Sequence, residues 1–321
     1  MDYRPLGNTG LQISTVALGC WPIAGMTSPG VNDTDSLATI RACFDLGVNH
    51  LDTAYMYGRN GESERLIARA LGNRRREMII ATKGGYHWPD QGPQMCDARP
   101  ATLKRECEES LRRLGTDHVE IYYLHGPDAQ VPVADSAGAI RELIDEGKAL
   151  AAGASNVNLS QLQQFHAACP LTVCQPLYNM LQREIESDLI PWCRANHVAV
   201  LAYWPLLKGL LAGKFARNHV FAPTDSRLKY PMFHGEEWRK NHDLLDRLRV
   251  IATAAGHSVA ELVINWTIHQ PGITAALCGA KRPEQIRENA AGAGWQLTPE
   301  QLDAIAQALR NRNDSVAKPP V

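Results

Sequence analysis

The sequence predicts an α/β fold, a (β/α)8 TIM barrel, on three observations. Short apolar runs alternate with amphipathic stretches through eight strand–helix units. No linker or low-complexity segment interrupts them. Asp52, Lys83 and His125 each end one of these runs, with Tyr57 on the loop after the first, and catalytic groups of parallel barrels converge at the C-terminal strand ends. The runner-up, an open doubly wound sheet, usually carries G-x-G-x-x-G after its first strand, and Leu18-Gly19-Cys20 is not followed by that word.

Taken in order, residues 3–14 hold two short apolar pieces around Asn8-Thr9-Gly10, the pattern of an N-terminal β-hairpin. Barrel strands are expected at about 15–20, 48–52, 78–83, 119–125, 150–154, 172–175, 198–203 and 274–278. Helical patterns lie at about 35–46, 62–71, 101–114, 133–146, 159–167, 188–195 and 259–269. Asn32 to Asp35 offers N-cap oxygens to the first helix, and Gly47 suits its end. Thr298-Pro299-Glu300-Gln301 reads as a capping box with a first-turn proline. A long loop after the seventh strand, from 205 to about 241, is of a length that is usually functional. The tail after Arg310 is expected to be loosely held.

At 321 residues, 45% hydrophobic and 21% charged, the chain suits one barrel domain spanning 1–321. A net charge of −1 argues against nucleic-acid or membrane-surface partners. The start, Met1 to Gly7, lacks the pattern of a signal peptide, and no apolar stretch reaches membrane-span length, so the expected location is cytoplasmic. Eight cysteines without a Cys-x-x-Cys pair suggest neither a disulfide framework nor zinc, and no metal is expected.

Asp52, Tyr57, Lys83 and His125 suggest carbonyl reduction. A free tyrosine, with a pKa of about 10, is a poor acid near neutrality. A lysine beside it favours the phenolate and a carboxylate holds the lysine, with a histidine nearby. Singly, each residue is more often a cap or a hydrogen-bonded structural group. Three successive strand ends and an adjoining loop make the set functional. Tyr55 is a rival to Tyr57.

Asp52-Thr53-Ala54-Tyr55-Met56-Tyr57-Gly58, followed by Gly61-Glu62-Ser63-Glu64, resembles the signature of the aldo-keto reductase family, in its bacterial and potassium-channel β-subunit-like branch. Thr82-Lys83, Leu124-His125, Gly153 to Asn156, Gln175 to Asn179 and Gly279 to Gln285 follow in the family's order. The resemblance implies a barrel whose bottom the hairpin plugs, NADPH/NADP+ as cofactor, and Asp52, Tyr57, Lys83 and His125 as catalytic residues. It also implies that the long loop folds over the cofactor. Ser155, Asn156 and Gln175 match the side chains that hold the nicotinamide carboxamide, and Tyr203 matches the aromatic on which the ring stacks, with plain barrel packing its alternative. Pro205, Leu206, Gly209, Leu211 and Lys214 match the pyrophosphate loop, with backbone N–H groups facing the phosphates. Gly279, Ala280, Lys281 and Arg282 precede a helix beginning near Pro283, a natural anion site that the resemblance gives to the 2′-phosphate of NADP(H). Gln285, Glu288 and Asn289 match positions that hold the ribose and adenine.

Trp204 stands where relatives more often have a small hydroxyl residue, and Arg282 where one is also frequent. Trp21, Tyr55, Trp88 and Trp204 are candidates to surround a small-molecule carbonyl or sugar substrate, and Trp88 equally suits loop packing. The protein is expected to be a monomer or homo-oligomer that interconverts a carbonyl and an alcohol. One alternative is an NADPH-binding regulatory subunit, since some relatives dock on a membrane channel. A second is a barrel lyase or isomerase acting on a phosphosugar.

Overall fold

A computed structural model describes residues 1–26, 30–313 and 316. The chain opens with an antiparallel hairpin, β1 (Tyr3–Pro5) and β2 (Gln12–Ser14). Barrel strands β3 (Val16–Gly19), β4 (His50–Asp52) and β5 (Ile79–Gly84) follow. A two-residue hairpin, β6 (Tyr86–His87) with β7 (Met95–Cys96), interrupts the series. The barrel continues with β8 (Val119–Leu124), β9 (Ala149–Ser155), β10 (Leu171–Gln175), β11 (Ala199–Tyr203) and β12 (Ala275–Gly279). All eight barrel strands are parallel to their neighbours, and the β9–β10 and β12–β3 pairings complete the closed ring.

Helices α1 (Asp33–Leu46), α2 (Glu62–Leu71), α3 (Pro100–Leu114), α4 (Val133–Asp145) and α5 (Leu159–Ala168) surround the first half. The second half carries α6 (Leu189–Ala195), α7 (Gly235–Ala254), α8 (Val259–Ile268), α9 (Pro283–Ala290) and α10 (Pro299–Arg312). The eight expected strands and seven expected helices are all present, with ends within two residues of the expected ones. Asn32 caps α1 through the Asp35 N–H, Gly47 ends it at φ 69°, and Thr298 with Gln301 forms the anticipated capping box.

Side chains alternate across each strand. Ala17, Ile79, Ala81, Ile121, Tyr123, Val173 and Leu201 fill the barrel interior, while Leu18, Leu51, Ile80, Tyr122 and Val200 join the larger core shared with the helices. The hairpin supplies Leu6 and Ile13 to the interior cluster, so it plugs the barrel as expected. Arg4 fastens it by donating to the carbonyls of Ile268, Ile273 and Thr274 at 2.6–3.3 Å. Inside, the Tyr123 ring lies against the bare Cα of Gly153 on the next strand, where a Cβ would fall 2.2 Å from the ring.

Two expectations need correction. The segment after β11 is not a loop as far as 241, because α7 starts at Gly235. Its apolar stripe, Leu244, Leu245, Leu248 and Ala252, has helical spacing, but the charged residues before it hide the beginning. The tail just after Arg310 is held, not loose. Buried Arg312 donates to Asn241 Oδ1 at 2.8 Å and Glu237 Oε2 at 2.5 Å, and the Val316 N–H donates to the Leu181 carbonyl. The end of that tail, Lys318 to Val321, lies outside the described residues.

Helix α3 also steadies the strand that carries Lys83. Buried Glu106 accepts from the Gly85 N–H at 2.7 Å and meets His87 Nδ1 at 3.0 Å. Burial pushes this carboxyl up to about 8, against the pull of the Gly85 bond.

Gly153→Ala should cost at least about 1–3 kcal/mol, because Tyr123 has no room to yield; urea unfolding measures it. The raised carboxyl pKa means that the folded state binds the proton more tightly than the unfolded chain. Its stability contribution is therefore full below about 4.5 and fades as pH rises through about 8. The difference in thermal midpoint between wild type and Glu106→Gln should accordingly shift in favour of the variant across that window.

Candidate active site

β4 and β5 lie side by side, with Asp52 registered against Ala81, so their inward side chains meet near the mouth. Lys83 is fully buried and Asp52 is 3% exposed. Lys83 Nζ donates to Asp52 Oδ1 at 2.6 Å and to the Thr53 carbonyl at 2.7 Å, and it lies 3.5 Å from Tyr57 Oη. The Tyr57 ring meets His125 edge-on, with centroids 5.9 Å apart. The four residues singled out for catalysis therefore share one place at the barrel mouth.

Burial first, then the Asp52 charge, raise the Tyr57 pKa well above the usual phenol. The Lys83 ammonium lies closer to Asp52 and the Thr53 carbonyl than to the phenol. Burial lowers the Lys83 pKa while Asp52 supports its charge. Burial and the Lys83 charge push His125 well below the ordinary imidazole value, so its ring is neutral. Its Nδ1 is buried and has no hydrogen-bond partner among the described residues.

Around this centre, buried Ser155 donates to the Gln175 carbonyl at 2.8 Å. Asn156, in the left-handed region at φ 57°, donates to the His125 carbonyl at 2.9 Å and accepts from the Tyr203 hydroxyl at 2.8 Å. The Gln175 side chain donates from Nε2 to Asp52 Oδ2 at 2.7 Å. Ser155, Asn156, Gln175 and Tyr203 thus form a polar wall joined to the four central residues.

Beyond β11 the chain turns sharply, with positive φ at Trp204, Leu207 and Lys208. Pro205 is buried and Leu206 packs against the core. The Gly209 and Leu211 N–H groups both donate to the Leu206 carbonyl, so the turn uses the two donors that were expected to face phosphates. The sequence reading missed the side chain just before Gly209. Lys208 Nζ sits 4.2 Å from the Trp204 ring centroid and 4.5 Å from that of Tyr230. Burial lowers its pKa to about 8, with Arg227 adding to the effect.

Opposite this turn, Gly279 and buried Ala280 lead to α9. The Lys281 N–H donates to Gln285 Oε1 at 2.9 Å, and Asn289 donates to the Gly279 carbonyl at 3.3 Å. Arg282 is the exposed N-cap residue of α9, with Asp35 at 3.9 Å, and Lys214 pairs with Glu288 across the two segments. Arg282 and Arg227 help to lower the Lys281 pKa, after burial. Lys208, Arg227, Lys281 and Arg282 therefore gather in one region, where Asp225 pairs with Arg227 at 2.6 Å, and the excess of positive charge suits a phosphorylated ligand. Arg227 lies in the long loop, whose sequence gave no sign of this role.

Of the four aromatic substrate candidates, Trp21 meets the Tyr57 ring edge-on at 5.0 Å. Trp204 packs edge-on against Tyr203 and Tyr230. Trp88 donates from its indole to the Met56 carbonyl, which ties its loop to the one bearing Tyr57. Tyr55 turns outward instead: its hydroxyl donates to Glu109 on α3, and Arg113 of the same helix stacks on its ring at 4.2 Å. Those two charges draw it away, which removes it from the pocket and as a rival to Tyr57. The β6–β7 hairpin brings in an aromatic the sequence reading missed, Tyr86, 5.1 Å from the His125 ring.

Comparison with known proteins agrees with this architecture. The model of the Aldo/keto reductase family matches residues 15–310. The chain is 35% identical to the aldo-keto reductase YhdN of Bacillus subtilis, covering 97% of this chain and 94% of that one. It is 32% identical to the NADH-specific methylglyoxal reductase of Escherichia coli, covering 99% and 100%. The structure of a glycerol dehydrogenase from Gluconobacter oxydans superposes with a TM-score of 0.91 at 33% identity, covering 100% of this chain and 98% of that one. With a family match over nearly its whole length and a closed barrel to carry it, the chain belongs to the aldo-keto reductase family.

Proposed function

We propose that the protein is an NADP(H)-dependent oxidoreductase that interconverts a small aldehyde, ketone or sugar carbonyl and its alcohol, with Tyr57 as general acid and base. The observation that carries this reading is the buried Asp52–Lys83 pair set against Tyr57 and a neutral His125. The bound nicotinamide supplies or accepts the hydride. Ser155, Asn156 and Gln175 would hold its carboxamide, and Tyr203 would flank its ring.

In the reducing direction Tyr57 is the proton source, and its raised pKa keeps it protonated throughout the neutral range. As the carbonyl oxygen gains charge, the phenolic proton passes to it, and the phenolate left behind faces the Lys83 ammonium. His125, being neutral, cannot be an imidazolium acid; it orients the oxygen with a single ring N–H. Trp21, Tyr86 and Trp204 give the mouth an aromatic rim that suits a small, partly apolar carbonyl compound. The similarity to a methylglyoxal reductase and a glycerol dehydrogenase supports a small oxygenated substrate.

The positive cluster of Lys208, Arg227, Lys281 and Arg282 supports NADP(H), whose 2′-phosphate needs charge-assisted partners. The NADH-specific relative makes this preference the point to test. Fluorescence titration with NADPH and NADH, followed by a panel of carbonyl compounds, should give tighter NADPH binding and oxidation of the bound cofactor. Failure to bind either nucleotide would sink the reading. Tyr57→Phe should lower turnover by about 10²–10⁴-fold with cofactor affinity nearly unchanged, because only the proton donor is lost. Lys281→Ala combined with Arg282→Ala should weaken NADPH by about tenfold or more and NADH far less. Equal losses would contradict the phosphate assignment.

A further inference from the structure

The sequence places Gln175 among the residues that hold a carboxamide, but in the structure its amide nitrogen is bound to Asp52. The Asp52 carboxylate divides its work. Oδ1 receives the Lys83 ammonium at 2.6 Å, and Oδ2 receives Gln175 Nε2 at 2.7 Å. Asp52 and Gln175 are each 3% exposed and Lys83 is fully buried, so water does not compete for these contacts. The Gln175 backbone is itself fixed, since its carbonyl accepts from buried Ser155 and its strand pairs in register with Ser155.

We propose that Gln175 is a positioning residue for the Asp52–Lys83 pair, holding the carboxylate turned so that its other oxygen fixes the ammonium facing Tyr57. Gln175 thereby links the nicotinamide wall to the proton donor through three consecutive contacts: Gln175 to Asp52, Asp52 to Lys83, and Lys83 to Tyr57. A hydrogen bond donated to a carboxylate favours its charged form. Without the Gln175 bond, Asp52 is free to rotate, and the buried ammonium loses part of what offsets its desolvation. The other titratable groups facing the pair are Cys20, His50, Tyr57, Glu64, Tyr123 and His125. None of them donates a hydrogen bond to Asp52 Oδ2, so none replaces Gln175.

The test begins on cofactor-free protein labelled with [15N]lysine, with the Lys83 ammonium resonance assigned by its loss in Lys83→Met. Gln175→Met keeps the bulk and removes the donor. The pH midpoint of the Lys83 resonance should fall by about one unit, a tenfold loss of proton affinity. An unchanged midpoint in a folded Gln175→Met protein overturns the proposal. Should that variant fail to fold, Gln175→Glu serves instead. Its carboxyl would sit beside Asp52 and share a proton with it, so the Lys83 resonance should report an added titration step that wild type lacks. No added step overturns the proposal equally.

A second arm rests on the functional reading above. In the cofactor-loaded enzyme, the alkaline limb of kcat should move to lower pH in Gln175→Met by the same interval as the Lys83 midpoint. If Gln175 acts on the carboxamide alone, cofactor Kd rises and the limb stays in place. Wild type that binds no nicotinamide cofactor would remove the functional reading while leaving the Lys83 titration standing.

Discussion

Everything at the mouth of this barrel depends on one buried ion pair. Lys83 and Asp52 have both left water, and each is tolerable there because the other is present. Removing one partner of such a pair typically costs about 3–5 kcal/mol, a large part of a domain's stability, because it leaves a lone buried charge. The surroundings divide accordingly. The Thr53 carbonyl and Asp52 share the ammonium, Gln175 takes the second carboxylate oxygen, and Tyr57 stands just outside the first ring of contacts. Tyr57 keeps its proton because burial and the Asp52 charge both disfavour the phenolate.

Parallel strands make this pairing possible. Neighbouring strands set Asp52 against Ala81, two residues before Lys83 on the same strand, and Lys83 against Tyr123 on the next, so the ammonium reaches back to Asp52 while it lies 5.7 Å from the Tyr123 ring inside the barrel. The Tyr123 ring fits only because Gly153 has no side chain, so the residue that opens the Gly153-Ala154-Ser155-Asn156 word is also a packing necessity. Asn156 then connects the His125 backbone with the Tyr203 hydroxyl. Scaffold and site are one hydrogen-bonded unit here, and a change made for packing reaches the reacting groups within two contacts.

Much of this was legible in the sequence because strand and helix periods and strand-end polar residues are local signals. The eight strands, the N-terminal hairpin, the caps at Asn32 and Thr298, and the meeting of Asp52, Tyr57, Lys83 and His125 all follow from them. What was not legible depends on distant partners. Tyr55 was drawn outward by Glu109 and Arg113, which lie more than fifty positions away. Lys208 and Arg227 joined Lys281 and Arg282 only through the path of the long segment, and Tyr86 reached His125 through a hairpin two residues wide. The acceptors that hold the Lys83 ammonium, Asp52 and the Thr53 carbonyl, are likewise set by the folded chain, and adjacency in a motif says nothing about them.

The plug at the bottom carries a consequence for how the chain reaches this structure. Arg4 is held by carbonyls 264 to 270 positions further along, and β3 must pair with β12 to close the ring. During synthesis the hairpin therefore precedes its partners by some 264 to 270 residues and waits for them. Early collapse has only neighbouring strand–helix units to work with, and closure is a late event of high contact order. Until the last strand arrives, β3 keeps an unpaired edge and Leu6 and Ile13 lack their full cover, which makes the half-made barrel the species most open to wrong association.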